Sequence, residues 1–122
     1  IVSLPSNVSL TTAIANDIGY EEVFAKQVEW FTDPRAALLV ISSSGNSPNI
    51  VRALQAARNK SMTTMAMVGF DGGAVVKESL ADFTIHVKSN NYGIIEDCHQ
   101  ILMHSMAQTL RLAYANKANL KL

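Results

Sequence analysis

The apolar positions of the chain fall into two patterns. Ile1–Leu4, Ala37–Ser42, Thr63–Gly69 and Phe83–Val87 are short apolar runs. Three of them are near-continuous, as parallel strands covered on both faces require. Between the runs, apolar residues recur three or four positions apart. Leu10–Ala15 is a short helical pattern, and Tyr20–Phe31 is a longer one carried by Val23, Phe24, Gln27, Val28 and Phe31. Pro48–Lys60 repeats it with Val51, Leu54 and Ala57, Ala74–Leu80 is short, and a last helix runs from Gly93 or Ile94 to near Ala115. Alternating strands and helices predict right-handed βαβ crossovers and one parallel sheet. Ligands of such sheets bind beyond the carboxyl ends of the strands. The loops to search are therefore Asn16-Asp17, Ser42–Ser47, Gly69–Gly73 and Ser89–Gly93.

Composition narrows the function classes. The 122 residues suit one domain, residues 1–122, and 48% hydrophobic against 16% charged residues leaves ample material for a core. Lys+Arg is 10 and Asp+Glu is 10. The basic excess or stripe of a nucleic-acid binder is missing, and no apolar run approaches the ~20 residues of a bilayer span. Cys98 is the single cysteine, so no internal disulfide forms, which fits a reducing, cytoplasmic compartment. The chain opens directly on Ile1-Val2-Ser3-Leu4 with no Met, and further residues are expected upstream.

Val40-Ile41 leads into Ser42-Ser43-Ser44-Gly45-Asn46-Ser47-Pro48, followed by the amphipathic pattern. Pro48 suits the first helical position and makes Ser47 the N-cap. The helix start offers unpaired N–H groups and the positive dipole end, Gly45 permits close backbone approach, and several hydroxyls surround one point. This can hold a phosphate monoester. Neither the Walker pattern nor Gly-x-Gly-x-x-Gly is present, so no nucleotide cofactor is expected. On local chemistry alone a plain turn with a good helix cap is an equal alternative, since Ser, Gly, Asn and Pro are ordinary turn residues.

Four segments in order carry a family resemblance. Ile41-Ser42-Ser43-Ser44-Gly45-Asn46-Ser47-Pro48-Asn49 resembles the phosphate loop of the sugar isomerase (SIS) domain. Thr12-Ala13-Ile14-Ala15-Asn16-Asp17-Ile18-Gly19-Tyr20-Glu21-Glu22-Val23-Phe24, Gly69-Phe70-Asp71-Gly72-Gly73 and Tyr92-Gly93-Ile94-Ile95-Glu96-Asp97-Cys98-His99-Gln100 are similar to segments of its phosphoheptose isomerase branch. The resemblance implies an α/β fold, a three-layer αβα sandwich around a parallel flavodoxin-like sheet. It also implies a homotetramer with sites at subunit boundaries. It assigns Ser42, Ser43, Ser44 and Ser47 to the substrate phosphate, Asn16 and Asp17 to the sugar, and His104 to catalysis and to zinc. Glu96 stands where the family commonly has a metal-binding Gln, a change that keeps a metal donor and alters the local charge. The family's N-terminal helices, first strand and Gly-Asn-Gly-Gly-Ser-type loop, with a catalytic Glu and a His ligand, have no counterpart. The chain is therefore expected to be an N-terminally incomplete domain.

On the last helix Glu96 and His104 are about 12 Å apart along the axis, so a shared metal needs a donor from elsewhere. His99 and His86 are expected to be structural, Cys98 a small packed residue, and Trp30 and Phe31 core or subunit contacts. Two functions follow. One is an aldose–ketose isomerase acting on a sugar phosphate, by resemblance sedoheptulose 7-phosphate, with His104 as acid or base. The other is a non-catalytic phosphosugar-sensing or protein-binding module, such as a transcriptional regulator or a binder of a replication initiator; fold alone does not separate them.

Overall fold

In the computed structural model, which describes residues 1–119 of the backbone and side chains through residue 115, three strands form one sheet. They are β1 (Ala37–Ser42), β2 (Thr63–Val68) and β3 (Phe83–His86), in that order and parallel throughout. Ala37 pairs with Thr63 and Ser42 with Val68, so β1 and β2 end level. Each crossover carries a helix, α3 (Pro48–Asn59) after β1 and α4 (Gly73–Lys77) after β2. Before the sheet come α1 (Val8–Asp17) and α2 (Ala25–Phe31), and after it the long α5 (Tyr92–Asn119). This is the expected α/β architecture of parallel strands flanked by helices.

Ile1–Leu4 is not a strand. Ile1 and Val2 are fully exposed, and Leu4–Ser6 forms a single 3-10 turn with Pro5 in it. A strand needs a partner for its N–H and C=O groups, and Pro5 removes one donor. Tyr20–Phe31 is not one helix either. Gly19, at φ +148°, breaks the chain after α1, Tyr20–Glu22 makes a 3-10 turn, and α2 starts at Ala25.

Period two explains the core. Leu38, Val40, Ala66 and Val68 point to one face of the sheet and pack on Ala53, Leu54, Ala56 and Ala57 of α3, Ala25 and Val28 of α2, and Val75 of α4. The opposite face alternates with them. It carries Ile41, Phe83 and Ile85, respectively 38%, 64% and 43% exposed. The expectation of strands covered on both faces therefore holds for the inner face and, on the outer face, at the buried Met67 between Ile41 and Ile85, which are themselves partly exposed. α5 is anchored at its start, where Ile95 is fully buried against Gly69 and leaves no room for a Cβ there. Farther along, Ile101, Leu112 and Tyr114 are exposed.

Candidate functional site at the serine turn

β1 delivers Ser42, buried, to the carboxyl edge of the sheet, and α3 begins six residues after it at Pro48. The turn between them is built by its own short bonds. The Gly45 amide donates to Ser42 Oγ (3.2 Å) and the Asn46 amide to Ser44 Oγ (3.3 Å). A hydroxyl that accepts still has its proton to give. The Ile50 and Val51 amides both donate to the Ser47 carbonyl (3.0 and 3.1 Å). The amides of Ser44, Ser47 and Asn49 meet no protein acceptor among the described residues. Ser47 is the N-cap and Pro48 the first helical residue, as expected, but the Ser47 hydroxyl makes no cap bond. It stays free for a ligand.

Gly45 does something other than admit a ligand. At φ +63° it lies against the second loop, where a Cβ would collide with the Gly72 carbonyl; a Cβ on Gly73, at φ +55°, would collide with the Ser44 carbonyl. The two post-strand loops pack backbone on backbone, which only glycine allows. Asn46 turns the same way, its Oδ1 accepting from the Ala74 amide (2.9 Å). The Gly69 amide donates to the Ser43 carbonyl (2.8 Å). Asp71 closes the second loop. Its carboxyl is held below the ordinary carboxylate range by Lys77 Nζ, 2.7 Å away, and then by the Gly73 amide.

The serine turn opens on a cavity of about 380 Å³. Ser42, Ser43, Ser44, Ser47 and Asn49 form its polar side; Phe24, Ile41 and Ile50 form its apolar side, with Tyr20 and Tyr92 at its rim. A larger depression of about 490 Å³ lies at the amino end of β2, between Arg58, Asp82 and Phe83. Its two charged side chains are engaged in structural bonds, Asp82 with Thr64 and Arg58 with the Ser79 carbonyl, so the smaller cavity, with its cluster of hydroxyls, is the candidate site.

The sequence-derived residues divide. All four serines line the cavity. Asn16 and Asp17 end α1, exposed and bonded to each other (Asn16 Nδ2 to Asp17 Oδ1, 2.7 Å), and do not line it. Glu96 and His104 are exposed on α5. His104 lies about 18 Å along the helix axis from Tyr92 at the rim. Among the described residues no three His, Cys, Asp or Glu side chains converge on a metal position. His86 and His99 hold structure: His86 Nε2 donates to the Phe70 carbonyl (2.9 Å), and buried His99 directs Nε2 at the Val68 carbonyl (3.4 Å), its Nδ1 unpaired. Phe24, Ile41, Asn49 and Ile50 line the cavity without having been singled out as site residues by the sequence, and so do the two tyrosines, Tyr20 and Tyr92. Both stand beside glycines inside quoted motifs, at Gly19-Tyr20 and Tyr92-Gly93.

The comparisons agree with this geometry. The family model described as "SIS domain" matches residues 2–69, more than half of the chain. A phosphoheptose isomerase of Helicobacter pylori (strain P12) is 38% identical over 116 residues, 95% of this chain and 59% of that protein. The structure of a phosphoheptose isomerase from Francisella tularensis superposes with a TM-score of 0.83 at 31% identity, over 88% of this chain and 56% of that one. That of the Neisseria gonorrhoeae phosphoheptose isomerase gives 0.82 at 37% identity, over 88% and 60%. The chain thus spans somewhat more than half the length of these relatives. With the serine turn, the parallel sheet and the matched residues in agreement, the chain belongs to the SIS domain family.

Proposed function

We propose that the chain is the phosphate-binding part of an aldose–ketose isomerase acting on a sugar phosphate, of the phosphoheptose isomerase kind, with sedoheptulose 7-phosphate as substrate. The observation that carries this reading is the serine turn, where four serines and Asn49 line one cavity at the start of α3, and the amides of Ser44, Ser47 and Asn49 have no protein acceptor among the described residues. A phosphate dianion there receives charge-assisted bonds worth roughly 1.5–3 kcal/mol each and meets the positive end of the helix dipole. The relatives' names supply the substrate class.

His104 is the acid or base of the reading, moving the proton between adjacent carbons of an enediol. In this reading His104, far along α5 from its own cavity, serves the cavity of another copy, and the reading includes a homo-oligomer, a tetramer by family resemblance, with sites at subunit boundaries. Asn16 and Asp17 then face the sugar from α1 once the site is assembled. Zinc belongs to the reading only as a site in which donors outside the described residues complete Glu96 and His104; no step is derived through it. No described helix is long and apolar enough to cross a membrane, which accords with a cytoplasmic enzyme.

Titration calorimetry with sedoheptulose 7-phosphate and with the unphosphorylated sugar tests the binding. The phosphosugar is expected to bind more tightly, and Ser44→Ala/Ser47→Ala to weaken it by more than about tenfold. Equal affinity for the two sugars, or no loss in the variant, refutes the site. The exposure of His104 favours a second reading, a phosphosugar sensor without catalysis. Deuterium from solvent appearing beside the carbonyl of bound sugar, and lost in His104→Ala, decides for the isomerase; tight binding with no exchange decides for the sensor.

A further inference from the structure

The cavity has a wall that phosphate recognition does not use. Tyr92, the first residue of α5, lines it together with the apolar Phe24, Ile41 and Ile50. Its ring meets Phe70 edge-on, with centroids 4.7 Å apart and planes at 69°. Phe70 itself sits at φ +48°, a left-handed conformation that is uncommon for a bulky residue and costs free energy. Glycines stand at 69, 72 and 73 of the same loop, yet the strained position is held by an aromatic side chain. The strain is locked from both sides. His86 Nε2 donates to the Phe70 carbonyl at 2.9 Å, and the neighbouring Gly69 amide donates to Ser43 of the serine turn at 2.8 Å. Strained backbone held in place by surrounding bonds clusters beside functional cavities. Here the held ring is the one that props Tyr92.

We infer that Tyr92 is a specificity-determining residue of this site, the surface on which the sugar portion of a phosphosugar rests while the serine turn takes its phosphate. This rests on the phosphosugar reading of the serine turn. A polyol offers C–H faces and hydroxyls in alternation, and a tyrosine answers both, with an apolar ring and a polar tip. Tyr92 is 59% exposed without ligand, so it has surface left to bury. Phe70 acts through Tyr92 and is a positioning residue.

The test separates sugar from phosphate. Affinities for sedoheptulose 7-phosphate and for inorganic phosphate are measured by calorimetry on the wild type, Tyr92→Ala and Phe70→Gly. The last substitution relieves the left-handed strain while removing the prop, so loss of folding cannot imitate the effect. Tyr92→Ala is expected to weaken the phosphosugar about tenfold and to leave inorganic phosphate within about twofold. Phe70→Gly should give a smaller loss, again on the phosphosugar alone. Equal losses for both ligands, or none for either, overturn the role of Tyr92 and leave the serine turn standing. A wild type that binds neither ligand refutes the phosphosugar reading itself, and the inference falls with it.

Discussion

Lys60 follows the last residue of α3, and its Nζ reaches across to the end of α2. It donates to the carbonyls of Val28 (3.2 Å), Glu29 (2.9 Å) and Thr32 (2.6 Å). The last carbonyls of a helix have no partner within it and carry the negative end of the dipole, so a lysine there satisfies both needs. One side chain ties the two helices that cover the inner face of the sheet. Lys60→Met keeps the stem and removes the donors, and is expected to cost about 1–2 kcal/mol in urea unfolding, discounted from buried charged bonds because the head is partly solvated. A change under about 0.3 kcal/mol would show that water replaces the lysine freely. Nothing in the sequence marks this role, since Lys60 reads as an ordinary helix terminus. The serine turn is the contrary case. Its residue types and its place after a strand announce it, while the purpose of Gly45 depends on a second loop whose approach no local pattern encodes.

The elements that could be read from the sequence were those whose pattern and packing agree. β1, β2, β3 and α3 lie within one residue of the expected bounds; the apolar residues of β1, β2 and α3 meet partners on the inner face, and β3 is held by its pairing with β2. Ile1–Leu4 has the right composition but nothing to pair with, and Tyr20–Phe31 has the right period but a glycine before it that turns the chain. Tyr92 and Phe70 escaped notice because they meet from different loops, and a left-handed phenylalanine runs against propensity. The four-residue edge strand β3 is short for independent stability, and Asp82 just before it supplies a clamp. Its Oδ2 accepts from the Thr64 amide (2.8 Å) and Thr64 Oγ1 (2.9 Å), and its own amide reaches Thr64 Oγ1 (3.0 Å). The Thr64 amide first, then the Thr64 hydroxyl, hold the Asp82 carboxyl below its ordinary value. A carboxyl depressed in the folded state adds stability that is complete above its unfolded pKa, about 3.9, and is lost as pH falls through the folded value. Unfolding free energies followed from pH 6 to pH 2 should therefore decline less steeply in Asp82→Ala than in wild type, with Asp33 and Asp71 supplying the slope that remains. Parallel slopes would show that the clamp makes no ionic contribution.

At the scale of the molecule, the open face of the sheet and the far half of α5 pose the same problem. Ile41 pairs in register with Met67, and Met67 with Ile85, so Ile41 and Ile85 flank the buried Met67 on the outer face, with Phe83 two residues before Ile85. Ile101, Leu112 and Tyr114 on α5 add exposed apolar surface, and Trp30 and Phe31 cap the end of α2 with an exposed edge-on pair. Monomers seldom leave such patches open, and a burial worth roughly 25 cal/mol for each Å² favours covering them. On the proposed reading, in which His104 serves a cavity other than its own, a second copy of the chain is the occupant that meets both needs. Sedimentation velocity at tens of micromolar is therefore expected to show a species larger than one chain, dissociating on dilution. Ile85→Glu places a charge on the outer face where Ile85 is already 43% exposed, so it should shift the equilibrium towards monomer with little loss of folding. If association carries the active site, isomerase activity should fall with the same concentration dependence, while inorganic phosphate binding at the serine turn, built wholly within one chain, should persist. A wild type that sediments as a single chain at every concentration would instead mean that the outer face is tolerated open, and would remove the subunit boundary from the proposed site.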